Sequence, residues 1–594
     1  MDKKFTARCL LLITIIIIAA FLRLYNIAGL PPGLYPDEAM NGNNALEALS
    51  TGNFKVFYPE NNGREGLFIN IQALFLAIFG NEPWALRLPS VIFGILTVLG
   101  IYFLAKELFR EKNSKPETLN SKQIQNPNFQ NSKNFRILDL GFRISHSEKI
   151  ALLSSFFLAT SFWHINFSRI GFRAIMAPTF LVWGIFLLLK ALNQIKNNSQ
   201  FPISNIQSNS KFQIPKSKFH WLLPLLAGAV YGLGFYSYIA YRATPLLIFV
   251  ILLFYWISIL RTSDVHNHNR MSDVRKLIRR KFLLSTFYFL ISTIIVVAPL
   301  GLYFLQNPQD FFGRTTQISI FNSPTLLKNL SINILKTAGM FNFIGDWNWR
   351  HNYAGRPELF WPVGILFLIG IFLIVKSLIQ KSKIKNQNAP EQIASQLYGA
   401  GNSKFKADTK TLHFAFCILI SWLIVAALPA VVSNEGIPHA LRSLLMIPPV
   451  FILAGVGGIW FYGFIKSKVL TTSGIKLQKF FLLSIFCFLL SLFIFEAYTA
   501  YFIKWGQNPS VYGAFSADYV KIGRELRDLP KELPKYVVIE APGADVRGIP
   551  MPAQTVMFIT GTFTPEKQKE KNIYYILPSQ INQIPEDSYL ITLK

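Results

Sequence analysis

Cysteine is scarce in this sequence. Its three cysteines, Cys9, Cys417 and Cys487, each lie inside an apolar run. None forms a CxxC pair or stands at the cysteine and histidine spacing that is typical of zinc sites. The sequence therefore supports neither a disulfide framework nor a zinc site. We interpret all three residues as small buried hydrophobic side chains.

Charged residues are also few, and acidic residues are fewer than basic ones. Charged residues make up 15% of the 594 residues and hydrophobic residues 51%, which is too apolar for a soluble protein. Lys and Arg outnumber Asp and Glu by 59 to 31, giving a formal charge of +28. No basic stripe interleaved with aromatic residues occurs on a compact soluble segment, so we predict no nucleic-acid partner.

Several familiar catalytic motifs are missing. The chain has no P-loop, no glycine-rich dinucleotide fingerprint, no GxSxG and no HExxH. Each of these motifs places specific groups on a phosphate, a nucleophile or a metal ion. Nucleotide-driven and common hydrolase functions therefore gain no support from the sequence.

Long apolar runs dominate what is present. A run of about 18 to 22 residues crosses a hydrocarbon core of about 30 Å, and eleven such runs occur. The predicted spans are 9–27, 88–108, 150–167, 174–192, 221–239, 243–260, 282–304, 359–379, 412–430, 443–465 and 480–501. A shorter run, Leu67 to Gly80, is typical of a re-entrant or interfacial helix. The sequence thus predicts an all-α polytopic membrane protein with about 11 transmembrane helices.

The distribution of Lys and Arg predicts the orientation of these spans. If the N-terminus is cytoplasmic, the inner segments carry 33 Lys and Arg residues and the outer segments between spans carry 12. This bias agrees with the positive-inside rule. If Leu67 to Gly80 were counted as a crossing, every later loop would be predicted on the opposite side of the membrane. The positive charge is therefore mainly a signal of topology.

Two kinds of non-spanning segment complete the predicted organisation. Segments 113–145, 195–218 and 381–410 are rich in Asn, Ser, Lys and Gln, and we predict low-complexity cytoplasmic insertions in a membrane module 1–501. Residues 502–594 are predicted to form a small extracytoplasmic α/β domain. Its predicted elements are a helix at Ala517 to Leu529 and strands at Tyr536 to Glu540, Thr555 to Thr560 and Ile573 to Leu577.

The outer loop 28–87 contains two adjacent acidic residues after a turn rich in proline and glycine. Asp37 and Glu38 follow Pro36, which restricts the backbone and would hold a carboxylate for proton abstraction or cation binding. Alternatively, Asp37 is the N-cap of a helix that starts at Glu38, because aspartate is favoured there. The spacing alone leaves both interpretations open.

Arginine is enriched at the outer ends of the later spans. All six basic residues in the short outer turns and in the segment 346–356 are arginine, whereas the inner loops are rich in lysine. A guanidinium can donate two parallel hydrogen bonds to phosphate. A single interfacial arginine can also simply reach toward lipid headgroups. The candidate ligands of a phosphate-bearing donor are Arg169, Arg173, Tyr241, Arg242, His439 and Arg442, and the candidate acceptor or supporting residues are Arg64, Glu65, Asp346, Arg350, His351 and Asn352.

The chain resembles polytopic glycosyltransferases of the C superfamily, in particular the protein mannosyltransferase and lipid A aminoarabinose-transferase relatives of prokaryotes. The resemblance covers about residues 9–505. It rests on several short motifs: Tyr35-Pro36-Asp37-Glu38-Ala39, Gly63-Arg64-Glu65-Gly66, Phe79-Gly80, Arg87-Leu88-Pro89-Ser90, Ser168-Arg169 and Pro438-His439-Ala440-Leu441-Arg442. It implies a multi-pass protein of the plasma (inner) membrane, with the active site on the extracytoplasmic side.

The resemblance also implies a reaction. The family has an essential aspartate in the first outer loop, matched here by Asp37, and its donor is a sugar on a polyprenyl phosphate. The acceptor would be a lipid, a glycan or a protein. Asp37 would be the general base of an inverting transfer, with Glu38 orienting the acceptor or aiding Asp37. The matched arginines Arg169, Arg173, Arg242 and Arg442 would bind the departing phosphate.

One departure from the family bears on metal dependence. Oligosaccharyltransferase relatives have further acidic residues near the second outer loop, but Ser168 to Arg173 contains none. The resemblance therefore implies that no cofactor is required. A divalent cation held by Asp37, Glu38 and Glu65 is the alternative. A transporter or flippase of a lipid-linked sugar is the rival function, although the nearly uncharged centres of the spans do not favour it.

Overall fold

The computed structural model describes residues 3–110, 145–197, 221–261, 268–317, 319–322, 324–383, 409–469 and 475–594. The predicted insertions 113–145, 195–218 and 381–410 lie largely outside these ranges. Most of the described chain is helical. The helices up to residue 498 are α1 (Lys3–Leu24), α2 (Pro36–Thr51), α3 (Gly66–Phe79), α4 (Pro83–Leu108), α5 (His146–Ala159), α6 (Phe162–Arg169), α7 (Met176–Asn197), α8 (Leu222–Leu233), α9 (Thr244–Arg261), α10 (His268–Gln306), α11 (Pro308–Gln317), α12 (Leu326–Gly339), α13 (Trp361–Lys383), α14 (Thr409–Val431), α15 (Ile447–Val469) and α16 (Ile475–Tyr498).

These helices form a multi-pass membrane protein. Among the described residues, seven helices are long and apolar enough to cross a membrane, and the pair α5 and α6, bent by 58°, adds an eighth if it is one span. They coincide with eight of the eleven predicted spans. The predicted spans 9–27, 221–239 and 359–379 fall on α1, α8 and α13. As predicted, α3 is shorter than a span.

Exposed apolar side chains mark the surface that faces lipid. Ile294, Ile295 and Leu305 on α10 are more than 60% exposed. Exposing such large apolar side chains together to water is unfavourable. Cys487 is exposed on α16 and Cys9 and Cys417 are partly exposed, so the expected burial of the cysteines is wrong. Apolar residues need no burial within the protein where hydrocarbon covers them.

Glycine allows close packing between α8 and α10. A Cβ atom on Gly228 would lie 2.0 Å from the backbone oxygen of Phe289, and one on Gly232 would lie 3.0 Å from the Cβ of Val296. The absence of side chains at these two positions, four residues apart, lets the helix backbones approach each other. This is the helix contact that a GxxxG pattern in an apolar run indicates.

The C-terminal region is a small α/β unit that continues from α16 through a π-helix at Thr499–Trp505. It contains α17 (Pro509–Ala514), α18 (Ala517–Asp528), α19 (Ala553–Thr560) and α20 (Pro565–Lys571). Two strands in the outer loop, β1 (Phe57–Tyr58) and β2 (Arg64–Glu65), precede β3 (Lys535–Ile539), β4 (Asp545–Val546), β5 (Ile549–Pro550), β6 (Ile573–Ile576) and β7 (Tyr589–Leu593). The predicted fold class, helical with a small C-terminal α/β region, is confirmed.

The sheet of this unit has the order β6-β3-β7, and all its strands are parallel. The helix predicted at Ala517 to Leu529 is present as α18. The strand predicted at Thr555 to Thr560 is wrong, because this segment belongs to α19, whose eight residues are all buried. A short run that is apolar on every side does not show whether it is a strand or a helix.

The predicted orientation can be tested with single cysteines in a chain whose native Cys9, Cys417 and Cys487 are replaced by alanine. Asn53 is exposed in the outer loop, and Arg110 is exposed at the end of α4 on the predicted inner side. We expect Asn53→Cys to react with an impermeant maleimide in intact cells, and Arg110→Cys to react only after permeabilisation. The reverse pattern would contradict the orientation.

Candidate active site

Asp37 lies in the first turn of α2. The helix starts at Pro36, and its N-cap is Tyr35, with no side-chain cap hydrogen bond. The N-cap interpretation of Asp37 is therefore wrong. Its carboxylate is partly exposed and accepts a hydrogen bond from Asn61 Nδ2. The partial positive charge of a helix N-terminus favours an acidic side chain at this position.

Glu38, the next residue, is fully buried and paired. Arg87 on α4 donates from Nε at 3.0 Å and from Nη2 at 3.1 Å to the two carboxylate oxygens. The backbone N–H of Gly171 donates to Oε1 at 2.5 Å. Arg87 also donates to the backbone oxygens of Pro31 and Gly33. Glu38 thus ties α2 to α4 and to the turn after α6.

A second buried carboxylate, Glu65, faces two arginines. Arg173 Nε is 2.9 Å from Oε2, and Arg242 Nη2 is 3.7 Å from Oε1. Arg242 also donates to the backbone oxygen of Phe311 at 2.9 Å and lies over its ring. One carboxylate therefore serves two guanidinium groups.

Arg64 contacts α2 at the two turns that come after Asp37. It donates to Asn41 Oδ1 at 2.8 Å and to Asn44 Oδ1 at 2.5 Å. Burial and, to a smaller extent, the nearby positive charge of Arg173 together lower the pKa of Arg64 to about 10, while the negative charges of Glu60 and Asp37 act in the opposite direction. The group stays protonated at neutral pH, at a cost that an additional anion would reduce.

Tyr35 connects Asp37 with a further arginine. The guanidinium of Arg350 lies 5.2 Å from the centre of the Tyr35 ring, and the backbone oxygen of Arg350 accepts from Asn166 Nδ2 at 2.8 Å. Burial raises the pKa of the Tyr35 hydroxyl, and the negative charges of Asp37 and Glu38 raise it too, whereas Arg350 and Arg173 lower it. The charges of Asp37, Arg173 and Arg350 are therefore all close enough to Tyr35 to change the pKa of its hydroxyl.

The charges around Asp37 do not balance. The pair of Glu38 and Arg87 is neutral. Among the other charged groups, five are positive and four are negative, which leaves an excess of one positive charge. The positive groups are Arg64, Arg173, Arg242, Arg350 and Arg547, and the negative ones are Asp37, Glu47, Glu60 and Glu65. Partly buried guanidinium groups with this excess favour the binding of an anion such as a phosphate.

A separate cluster joins the segment 340–360 to the segment 432–443. Asp346 is buried, with Oδ2 at 3.2 Å from His351 Nδ1 and 3.7 Å from His439 Nδ1. The N–H of Ala440 donates to the same oxygen at 2.9 Å. Burial acts to raise the pKa of Asp346, but the hydrogen bond and charge of His351 outweigh it, and the pKa lies below its usual value. Asn352 donates to the backbone oxygen of Asp346 at 3.3 Å.

Three predicted donor ligands are engaged elsewhere. The buried Arg169 donates to the backbone oxygens of four residues around the end of α1. The Tyr241 hydroxyl donates to the backbone oxygen of Tyr231 at 3.0 Å. Arg442 donates to Ser433 Oγ and to the backbone oxygen of Glu435. The acceptors for Arg169 are the carbonyls of Leu22, Arg23, Asn26 and Leu30. Neither Arg169 nor Tyr241 forms a hydrogen bond or an ion pair with Asp37.

Three residues that hold the site have no role predicted from the sequence. They are Tyr35, Asn61 and Arg87. Tyr35 and Arg87 belong to the motifs on which the family resemblance rests, and these motifs are a sequence signal that could have identified both residues. Asn61 lies in the same loop but carries no signal of its own, because its pairing with Asp37 depends on how β1 and β2 fold the chain back.

The C-terminal α/β unit covers α2. Gln554 on α19 accepts from Asn43 at 2.9 Å through its side-chain oxygen, and Phe558 packs where Gly42 lacks a side chain, since a Cβ there would lie 2.4 Å from its ring. Arg547 pairs with Glu47 at 2.8 Å and with Glu60 at 2.8 Å. The helix that carries Asp37 is thus held from outside the membrane module.

Replacing Arg547 with alanine removes the partner shared by Glu47 and Glu60. We expect the docking of the C-terminal unit to weaken by about 1 kcal/mol, the upper range for exposed pairs. Faster amide hydrogen exchange in α19 would report this change. Lys567→Ala is the matched control, because Lys567 pairs only locally with Glu570. Equal exchange in both variants would contradict a role of Arg547 in docking.

The same contact depends on pH. Burial acts to raise the pKa of Glu60, but its hydrogen bond with Arg547 outweighs this, and the pKa lies below the usual value. A depressed folded-state pKa contributes stability above the unfolded pKa, about 4.3, and this stability is lost as pH falls through the folded value. The difference in exchange between the native chain and Arg547→Ala should therefore shrink below about pH 4.

Comparison with known proteins gives a partial family match. Residues 67–115 match the model of the family described as dolichyl-phosphate-mannose-protein mannosyltransferase. No curated protein matches the chain. The resemblance to membrane glycosyltransferases is confirmed over the matched segment, which contains α3 and α4 with Arg87.

Solved structures with a similar arrangement share little sequence with this chain. One is the oligosaccharyltransferase of Archaeoglobus fulgidus tethered to an acceptor peptide, with 12% identity, a TM-score of 0.44 and coverage of 94% of this chain. This chain spans 63% of the length of that protein. Another is ArnT from Cupriavidus metallidurans bound to undecaprenyl phosphate, with 14% identity, a TM-score of 0.45 and coverage of 94% of this chain and 85% of that one.

Proposed function

We propose that this protein is an integral membrane glycosyltransferase that moves a sugar from a polyprenyl-phosphate donor to an acceptor on the extracytoplasmic side. The observation that carries the proposal is the excess of partly buried arginine charge in the part of the fold that holds Asp37. A carboxylate and a group of phosphate ligands are the two parts that this reaction needs. The family match of residues 67–115 supports transfer from a lipid-phosphate sugar.

Arg173, Arg242 and Arg350 bind the donor phosphate in this proposal. When the bond between the anomeric carbon and the phosphate oxygen breaks, negative charge accumulates on the leaving phosphate. Fixed guanidinium groups stabilise that charge without having to reorganise. Arg173, Arg242 and Arg350 are suited to this role because Glu65 neutralises only one of them. Arg169 instead stabilises the end of α1 through the carbonyl groups that it caps.

Asp37 is the general base. The acceptor hydroxyl oxygen attacks the anomeric carbon on the face opposite the phosphate, its proton passes to Asp37, and the configuration inverts. Base catalysis of this kind typically contributes 10²–10⁴-fold. Asn61 fixes one carboxylate oxygen through its hydrogen bond, which leaves the other for the acceptor. Glu38 braces α2 through Arg87 and does not meet the acceptor directly.

We propose that the chemical step uses no divalent cation bound to Asp37, Glu38 and Glu65. Two of these three carboxylates are already paired with guanidinium groups, Glu38 with Arg87 and Glu65 with Arg173. A cation there would have to displace an arginine from a buried ion pair, which is costly. Positive charge near the leaving phosphate already comes from arginine.

The general-base role is tested by Asp37→Asn. We expect a loss of transfer of about 10²–10⁴-fold, because the amide cannot accept the proton. The assay measures sugar transfer from a polyprenyl-phosphate hexose or pentose by the purified full-length chain. Asp528→Asn is the control, since Asp528 is exposed on α18. Full activity of Asp37→Asn would overturn the assignment, and unchanged thermal unfolding would show that the variant is folded.

The phosphate role is tested by Arg350→Gln. Loss of one charge-assisted hydrogen bond, about 1.5–3 kcal/mol, should lower kcat/KM for the donor roughly 10- to 100-fold. Arg524→Gln, which removes only a surface pair with Glu82, should leave it unchanged. Inorganic phosphate should also compete less well with the donor in the Arg350 variant. Unaltered donor kinetics in Arg350→Gln would contradict the phosphate contact.

A further inference from the structure

We propose that Asp346, His351 and His439 bind one divalent transition-metal ion of the zinc class. One ligand atom of each side chain lies within 4.8 Å of the others in this cluster. Asp346 Oδ2 faces Nδ1 of His351 and Nδ1 of His439. This set shares no residue with the carboxylates near Asp37, and the proposed sugar transfer assigns no chemistry to it.

The donor set and its spacing suit zinc. Two imidazole nitrogens and one carboxylate oxygen form a common zinc ligand set, with a fourth position open to water. Ligands at about 2.0–2.2 Å from a tetrahedral ion stand about 3.3–3.6 Å apart. The carboxylate oxygen is already 3.2 and 3.7 Å from the two nitrogens. The two imidazole rings are stacked, with centres 5.0 Å apart and planes at 28°.

Hydrogen bonds hold the carboxylate in a fixed orientation. The N–H of Asn348 donates to Asp346 Oδ1 at 2.8 Å, and the N–H of Ala440 donates to Oδ2 at 2.9 Å. Asn352 Nδ2 donates to the backbone oxygen of Asp346 at 3.3 Å. Such outer contacts orient metal ligands and tune their affinity. A carboxylate oxygen can accept a hydrogen bond and bind a metal ion with its second lone pair.

The ion would fix two segments that are far apart in the sequence. His351 and Asp346 belong to the segment 340–360, and His439 belongs to the segment 432–443. Arg350, directly before His351, lies on Tyr35 next to Asp37. Bound metal would therefore hold Arg350 against the donor phosphate. This consequence rests on the proposed function, whereas the metal binding itself does not.

Metal content tests the proposal directly. The full-length chain, purified without a histidine tag and stripped with a chelator, is dialysed against zinc chloride and analysed by mass spectrometry. We expect one zinc per chain. Asp346→Asn, His351→Gln and His439→Gln should each lower the affinity at least tenfold, whereas His146→Gln, at the start of α5, should not. The site would be overturned if the native chain held no more zinc than the three site variants. An equal loss of zinc affinity in His146→Gln would overturn it as well.

Cobalt provides a readout that needs no variant. Cobalt chloride added to the stripped native chain should give the intense visible absorption of a tetrahedral site, which zinc should displace. Absence of this absorption, together with no retained zinc, would show that the cluster is only a hydrogen-bonded contact. Failure of sugar transfer in a chain that binds zinc would overturn the proposed function and leave the metal site intact.

Discussion

The buried ion pair between Glu38 and Arg87 is the interaction on which the site depends. Both side chains are fully buried, and removing either one would leave a charge without a partner, typically a cost of about 3–5 kcal/mol. The pair joins the first turn of α2 to α4, and the bond from Gly171 to Glu38 adds the turn after α6. Asp37, one residue earlier, takes its position from this brace.

Buried arginine has two different uses in this protein. Arg169 directs its hydrogen bonds to backbone carbonyls at the end of α1, where they would otherwise lack partners in an apolar environment. Arg173 and Arg242 instead share one carboxylate, Glu65. In the first use, both Nη atoms of Arg169 donate to backbone oxygens. The second leaves positive charge for an anion, and this difference separates structural arginines from candidate ligands.

The C-terminal unit belongs to the site even though it contributes no proposed catalytic group. Phe558 and Gln554 pack on α2, and Thr555 Oγ1 donates to the backbone oxygen of Leu34 at 2.9 Å. Arg547 adds a polar contact at the edge. A helix held on both sides presents its first turn with little freedom, which favours a fixed geometry for a reacting carboxylate.

The sequence by itself determined the features that depend on local pattern. Apolar length identified most of the spans, and motifs identified Asp37, Glu38 and Glu65. The GxxxG of α8 is typical of a helix-packing surface, but only the structure identifies α10 as the helix that packs against it. The tertiary structure alone decided which of these groups are paired. Arg169 and Arg173 are four residues apart at one outer turn, yet one caps carbonyls and the other faces a carboxylate. The physical reason is that burial and pairing depend on side chains from distant segments, which a local pattern does not contain.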